Sequence, residues 1–75
     1  MNLKDGEVVK KINILLDHWI KHNQEHAGEY KKWAEKLEKE GLEDISQHLK
    51  QASELVIQSN GEFILAKEKL GDIER

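Results

Sequence analysis

At 75 residues the chain holds one small domain at most, and a domain of that size buries little apolar surface on its own. It has neither cysteine nor proline, which excludes disulfides, thiolate metal sites and thiol redox chemistry, and its 36% charged residues point to helix. The 12 basic and 15 acidic residues are interleaved to a net charge of −3, the wrong footprint for nucleic acid.

No apolar run is long enough to span a membrane, and no membrane association is expected. The N-terminus MNLKDGEVVKK is charged and lacks a secretory pattern, so a cytoplasmic setting is expected. The first predicted helix runs from about residue 5 to 39, with Asn2 or Asp5 available as its N-cap. Its apolar period is a heptad. Val9, Leu16, Asn23, Tyr30 and Leu37 take position a, and Ile12, Trp19, His26 and Trp33 take position d.

Glu40-Gly41-Leu42 reads as the turn, with Gly41 in the left-handed position that ends a helix and Leu42 able to pack back on Leu37. A connection this short makes the two helices antiparallel neighbours. The second helix is predicted over about 43–70, closed by Gly71. Leu42, Leu49, Val56, Phe63 and Leu70 take a, and Ile45, Ala52, Ser59, Ala66 and Ile73 take d. An alternative lets Ser59-Asn60-Gly61 end this helix and start a third.

Facing a against d sets Trp19 opposite Phe63 and Asn23 opposite Ser59. Asn23, His26 and Ser59 are the polar residues of the two seams, so two helices read independently agree on one polar layer. Apolar residues also lie off the seam: Val8, Leu15 and Ile20 on the first helix, and Leu55, Ile57, Ile64 and Leu65 on the second. The expected fold is therefore all-α: an antiparallel helical hairpin, a single domain over 1–75, that dimerises into a four-helix bundle.

His18, His22 and His26 stand at i, i+4 and i+8. Residues four apart stack on one helix face, which lets two imidazoles chelate one ion. At 100° per residue His18 and His26 diverge by about 80°. The pair expected to bind is thus His22 at g and His26 at d, with His18, Glu29 and Glu62 as candidates to complete a Ni²⁺, Co²⁺ or Zn²⁺ shell. Asn23, Ser59 and Asn60 are candidate outer hydrogen-bond partners of the imidazoles. The competing reading is a polar layer that sets register and oligomer state and binds nothing. Trp19 and Trp33 read first as large interface aromatics, and His48 as surface.

The order His-x-x-Glu, in His22/Glu25 and His26/Glu29, reverses the Glu-x-x-His of di-iron carboxylate bundles, so no oxygen-activating site is expected. No nucleophile or phosphate loop is legible, and catalysis is not expected. The pattern His18-Trp19-x-x-His22-Asn23-x-x-His26-Ala27-x-Glu29-Tyr30-x-x-Trp33-Ala34, followed by Gly41-Leu42, resembles that of a group of small bacterial and archaeal helical proteins of unknown function. The resemblance covers most of the chain. It implies nickel or cobalt handling, with His18, His22, His26 and Glu29 as the residues concerned.

Overall fold

The structure is a computed structural model that describes residues 6–74. Two helices make it up: α1 (Gly6–Lys39) and α2 (Glu43–Glu74). The candidate caps Asn2 and Asp5 lie outside the described residues. Neither helix has a proline to break it, and both carry acidic residues in the first turn, Glu7 in α1 and Glu43 and Asp44 in α2, where the helix dipole favours negative charge. Among the described residues no helix is long and apolar enough to cross a membrane.

The turn is closed by backbone hydrogen bonds. Gly41 sits at φ 80°. Leu42 N–H donates to the Leu37 carbonyl at 2.9 Å and Gly41 N–H to the Glu38 carbonyl at 3.0 Å. This bond pair is the Schellman motif, which needs a left-handed residue at the Gly41 position. Space is not the constraint there, because a Cβ on Gly41 would meet nothing within 4 Å. Gly41→Ala is therefore expected to cost about 1 kcal/mol through backbone strain alone. Urea denaturation would measure it, and an unchanged midpoint would show that the turn relaxes at no cost.

One expectation for α2 needs correcting: Gly71 does not close the helix, which continues to Glu74. The helix runs on through Ser59-Asn60-Gly61 as expected, without the break that the alternative placed there. A glycine inside a helix costs about 1 kcal/mol relative to alanine, too little to end a helix whose neighbouring turns are packed. At Ser59 and Asn60 that packing includes the hydrogen bonds described below.

The helices pair in the register read from sequence. Trp19 and Phe63 lie 5.7 Å apart between ring centroids, and Asn23 Nδ2 donates to Ser59 Oγ at 3.2 Å. The rotation about each helix axis differs from the a/d expectation. The residues that the pair buries are Val9 and Leu16 at a, together with Ala27, Ala34, Ser46, Ser53 and Asn60. The last five all fall at e. Three side chains of α2, one heptad apart, donate to backbone carbonyls of α1 that are also one heptad apart. Ser46 Oγ reaches the Ala34 carbonyl at 2.7 Å, Ser53 Oγ the Ala27 carbonyl at 2.8 Å, and Asn60 Nδ2 the Ile20 carbonyl at 3.0 Å.

The reason is steric. A serine hydroxyl is short, so it reaches a neighbouring helix's backbone only if the two backbones approach closely, and small residues at e permit that. An indole at d cannot fit in so narrow a gap. Trp33 is accordingly 52% exposed, Ile45 52% and Trp19 37%. The d residues move to the margin of the contact they were expected to fill.

At the margins, Lys50 Nζ donates to Glu38 at 2.7 Å, and Lys67 pairs with Asp17. The hydrogen bond from Lys50 holds the Glu38 carboxyl below its ordinary range, and the same bond holds Lys50 above its own. The Glu38 contribution is thus present above the ordinary carboxylate range and lost as pH falls through the lowered value. Both groups are exposed, so the effect on stability is small.

The hairpin is a rod of 56 × 19 × 14 Å with a radius of gyration of 17.0 Å. A compact domain of this length would have about 11 Å. Its accessible surface is 6170 Å², against about 4,700 Å² for a compact chain of this mass. The core is one interface deep, and much apolar surface stays outside it.

Candidate functional site

Rotation of the helices onto their a and e positions opens the d and g side of both. In an antiparallel pair the two g edges lie on the same side. Val8, Leu15, Trp19 and Trp33 of α1 and Ile45, Leu55 and Ile73 of α2 are all at d or g, and all are among the exposed large apolar residues. His22 and His26 lie on this same open side, at g and d. Lys36 Nζ stands 4.6 Å from the Trp33 ring centroid, so part of that indole is covered by an alkylammonium chain of its own helix.

The histidines form a column with Tyr30. His18 and His22 stack at 5.8 Å between centroids, His22 and His26 meet edge to face at 4.3 Å, and His26 stacks on Tyr30 at 5.7 Å. A column of residues four apart drifts by about 40° per step. It therefore winds from the outer position of His18 to the helix contact at Tyr30. His18 and His22 are exposed, whereas His26 and Tyr30 are half-buried.

One pair in the column is close enough for chemistry. His26 Nε2 and His22 Nε2 are 3.0 Å apart. As a neutral pair this is a hydrogen bond, with a proton on one Nε2 and a lone pair on the other. As a ligand pair it is a bite. With metal–nitrogen bonds of about 2.0–2.1 Å, two imidazoles at right angles would stand about 2.9 Å apart and two at the tetrahedral angle about 3.4 Å. Small side-chain rotations span that range.

The other candidate ligands do not join the pair. Among the described residues no three His, Asp or Glu side chains converge into a group able to hold an ion. His18, Glu29 and Glu62 are all exposed. Among the described residues the two imidazoles therefore stand without a third candidate ligand.

Asn23, Ser59 and Asn60 form one network directed at the partner helix. Asn23 Nδ2 donates to Asn60 Oδ1 at 2.9 Å as well as to Ser59, and Ser59 Oγ donates to the Val56 carbonyl at 2.8 Å. No buried side-chain polar atom among the described residues lacks a partner. The sequence reading placed Asn60 as an accessory to the imidazoles; it is instead the most buried member of this layer, at 6% exposure. The missed signal was the spacing of Ser46, Ser53 and Asn60, small polar residues one heptad apart, matched by Ala27 and Ala34 on α1.

Asn60→Leu removes one donor to Ile20 and one acceptor from Asn23, leaving polar groups facing an isobutyl chain. The expected cost is about 2–3 kcal/mol, read from chemical denaturation. A loss under about 0.5 kcal/mol would mean that water replaces both bonds.

A model of the family described as "Domain of unknown function (DUF8180)" matches residues 12–70. The chain belongs to this family. The match takes in α1 from Ile12, the turn and α2 as far as Leu70, and so the histidine column, the polar layer and the small-residue seam. No curated protein and no solved structure matches the chain.

Proposed function

We propose that this member of the DUF8180 family is a binding protein, not an enzyme, that takes up a divalent transition metal through His22 and His26. The observation that carries the reading is the 3.0 Å separation of the two Nε2 atoms on the open side of the hairpin. Imidazole suits Ni²⁺, Co²⁺ and Zn²⁺ alike, and small side-chain rotations bring the pair to either a right-angled or a tetrahedral bite, so the titration decides among them. Storage, delivery and sensing all fit a two-imidazole site near the surface. Hairpins pairing through their d and g faces into a four-helix bundle complete the proposal. The excess of about 1,400 Å² per chain over a compact protein of this mass is of the size that an obligate homodimer covers.

Calorimetric titration of the metal-free protein with Ni²⁺, Co²⁺ and Zn²⁺ tests it. Saturable binding of at least one ion is expected, with proton release and weaker binding below about pH 6, where imidazole protonates. No saturable heat with any of the three would end the metal reading.

A second reading has an observation in its favour. The Asn23, Ser59 and Asn60 layer is fully satisfied within the hairpin, as a register-setting layer would be. On this reading His26→Leu leaves function intact and strengthens self-association. A variant that loses an ion instead decides for the first reading.

A further inference from the structure

We infer that the metal site is shared between two copies of the chain, with the His22 and His26 imidazoles of each copy supplying one half of a four-nitrogen shell. The inference rests on the metal reading above and adds where the missing ligands come from.

The two imidazoles converge to 3.0 Å, yet no third His, Asp or Glu among the described residues joins them. A two-nitrogen bite on an exposed helix leaves at least half of a four-coordinate shell to outside donors. The face that carries the bite also carries exposed Trp19, Trp33, Ile45 and Leu55, so a second copy that covers those residues also covers the imidazoles.

The position of the pair along the rod decides what a second copy would bring. The midpoint of Gly6–Lys39 falls between His22 and Asn23. Trp19 lies one heptad before His26 and Trp33 one heptad after it. A two-fold axis perpendicular to the rod, crossing the open face at the level of His22 and His26, therefore overlaps the two hairpins along most of their length. It sets the Trp19 half of one copy against the Trp33 half of the other. It also sets each imidazole pair beside its own symmetry mate, because residues on a two-fold axis meet themselves. The same surface then meets itself with an indole on either side and the imidazoles in the middle, the charged g residues Glu29, Lys36, Glu62 and Lys69 lying alongside.

In that arrangement metal binding and dimerisation are linked, and each strengthens the other by the same factor. Titration with Ni²⁺ and sedimentation velocity on the same samples test this. About one ion per two chains is expected, with the dimer dissociation constant lowered at least about tenfold by the ion. Trp33→Ala and Leu55→Glu leave both imidazoles in place and replace side chains that are 52% and 64% exposed in the hairpin, so each hairpin stays folded by circular dichroism. Both variants should weaken dimerisation and lower Ni²⁺ affinity together.

One ion per chain on a sedimenting monomer would overturn the shared site and leave the metal reading standing. Metal affinity unchanged in both folded variants would overturn it as well. No binding in the wild-type chain would overturn both.

Discussion

Ni²⁺ is expected to raise the melting temperature of the wild-type protein, and replacing both His22 and His26 by alanine is expected to abolish that rise while the apo chain keeps its helical content. An ion that binds only the folded state adds about 2.7 kcal/mol at a free concentration one hundred times its dissociation constant. For a chain of this length that is roughly 10–20 °C in melting temperature. The double variant should show no such rise. Neither imidazole makes a hydrogen bond across the hairpin; the bond they make is to each other. Their loss therefore costs the apo fold little, and the effect is specific to the ion. Thermal melts with and without Ni²⁺ are the measurement. A melting temperature that rises equally in wild type and variant would place the ion elsewhere and remove the site from the His22/His26 pair.

Single variants refine this. His22 is exposed and His26 half-buried against Tyr30, so the ring of His26 is held from two sides and that of His22 is freer. Each is required for the bite, because one imidazole alone is an ordinary weak donor.

The second large effect is expected at Ala34. It is 0% exposed, and its carbonyl accepts the Ser46 hydroxyl at 2.7 Å. Ala34→Leu inserts a branched side chain where two backbones are held together. Overpacking of this kind typically costs about 1–3 kcal/mol, and here it also pulls Ser46 Oγ from its acceptor, leaving a buried hydroxyl at about 1–3 kcal/mol more. The hairpin should lose about 3 kcal/mol or open at that end. Ala34→Ser changes volume little and should be tolerated. Denaturation midpoints of the two variants are the check, and a leucine variant as stable as wild type would mean that the helices can rotate back onto their a and d positions at little cost. That outcome would also return Trp33 to the contact, visible as a blue shift of its fluorescence.

The seam at Ala34 and the exposure of His22 are consequences of one choice. Small residues at e let the two backbones approach along Ala34–Ser46 and Ala27–Ser53, and the longer Asn60 side chain reaches the Ile20 carbonyl at the third position. That rotation exposes d and g, which puts Trp19, Trp33, Leu55 and the imidazoles on one open side. A protein with leucine at Ala27 and Ala34 would have its histidine at d turned towards the partner helix.

Much of this was legible in the residues themselves. Two helices followed from uninterrupted heptad periods without proline, and the turn followed from Gly41, because a left-handed backbone favours glycine. The register followed from facing a against d across the short turn, and the meeting of Asn23 with Ser59 agreed with it, since polar residues in an apolar seam seek each other. The His22/His26 pair followed from i, i+4 spacing, which is a property of one helix. Each of these is local, or depends on a single pairing.

Only the tertiary structure decided the rotation of each helix about its axis. A heptad pattern marks which stripe is apolar, but not whether the partner sits over d or over e. That depends on how closely two backbones can approach, a balance of burying indoles against pairing serine hydroxyls with carbonyls. Here the hydroxyls and the alanines win. The same balance turns Asn60 inward and leaves the His22/His26 pair on the open side of the hairpin.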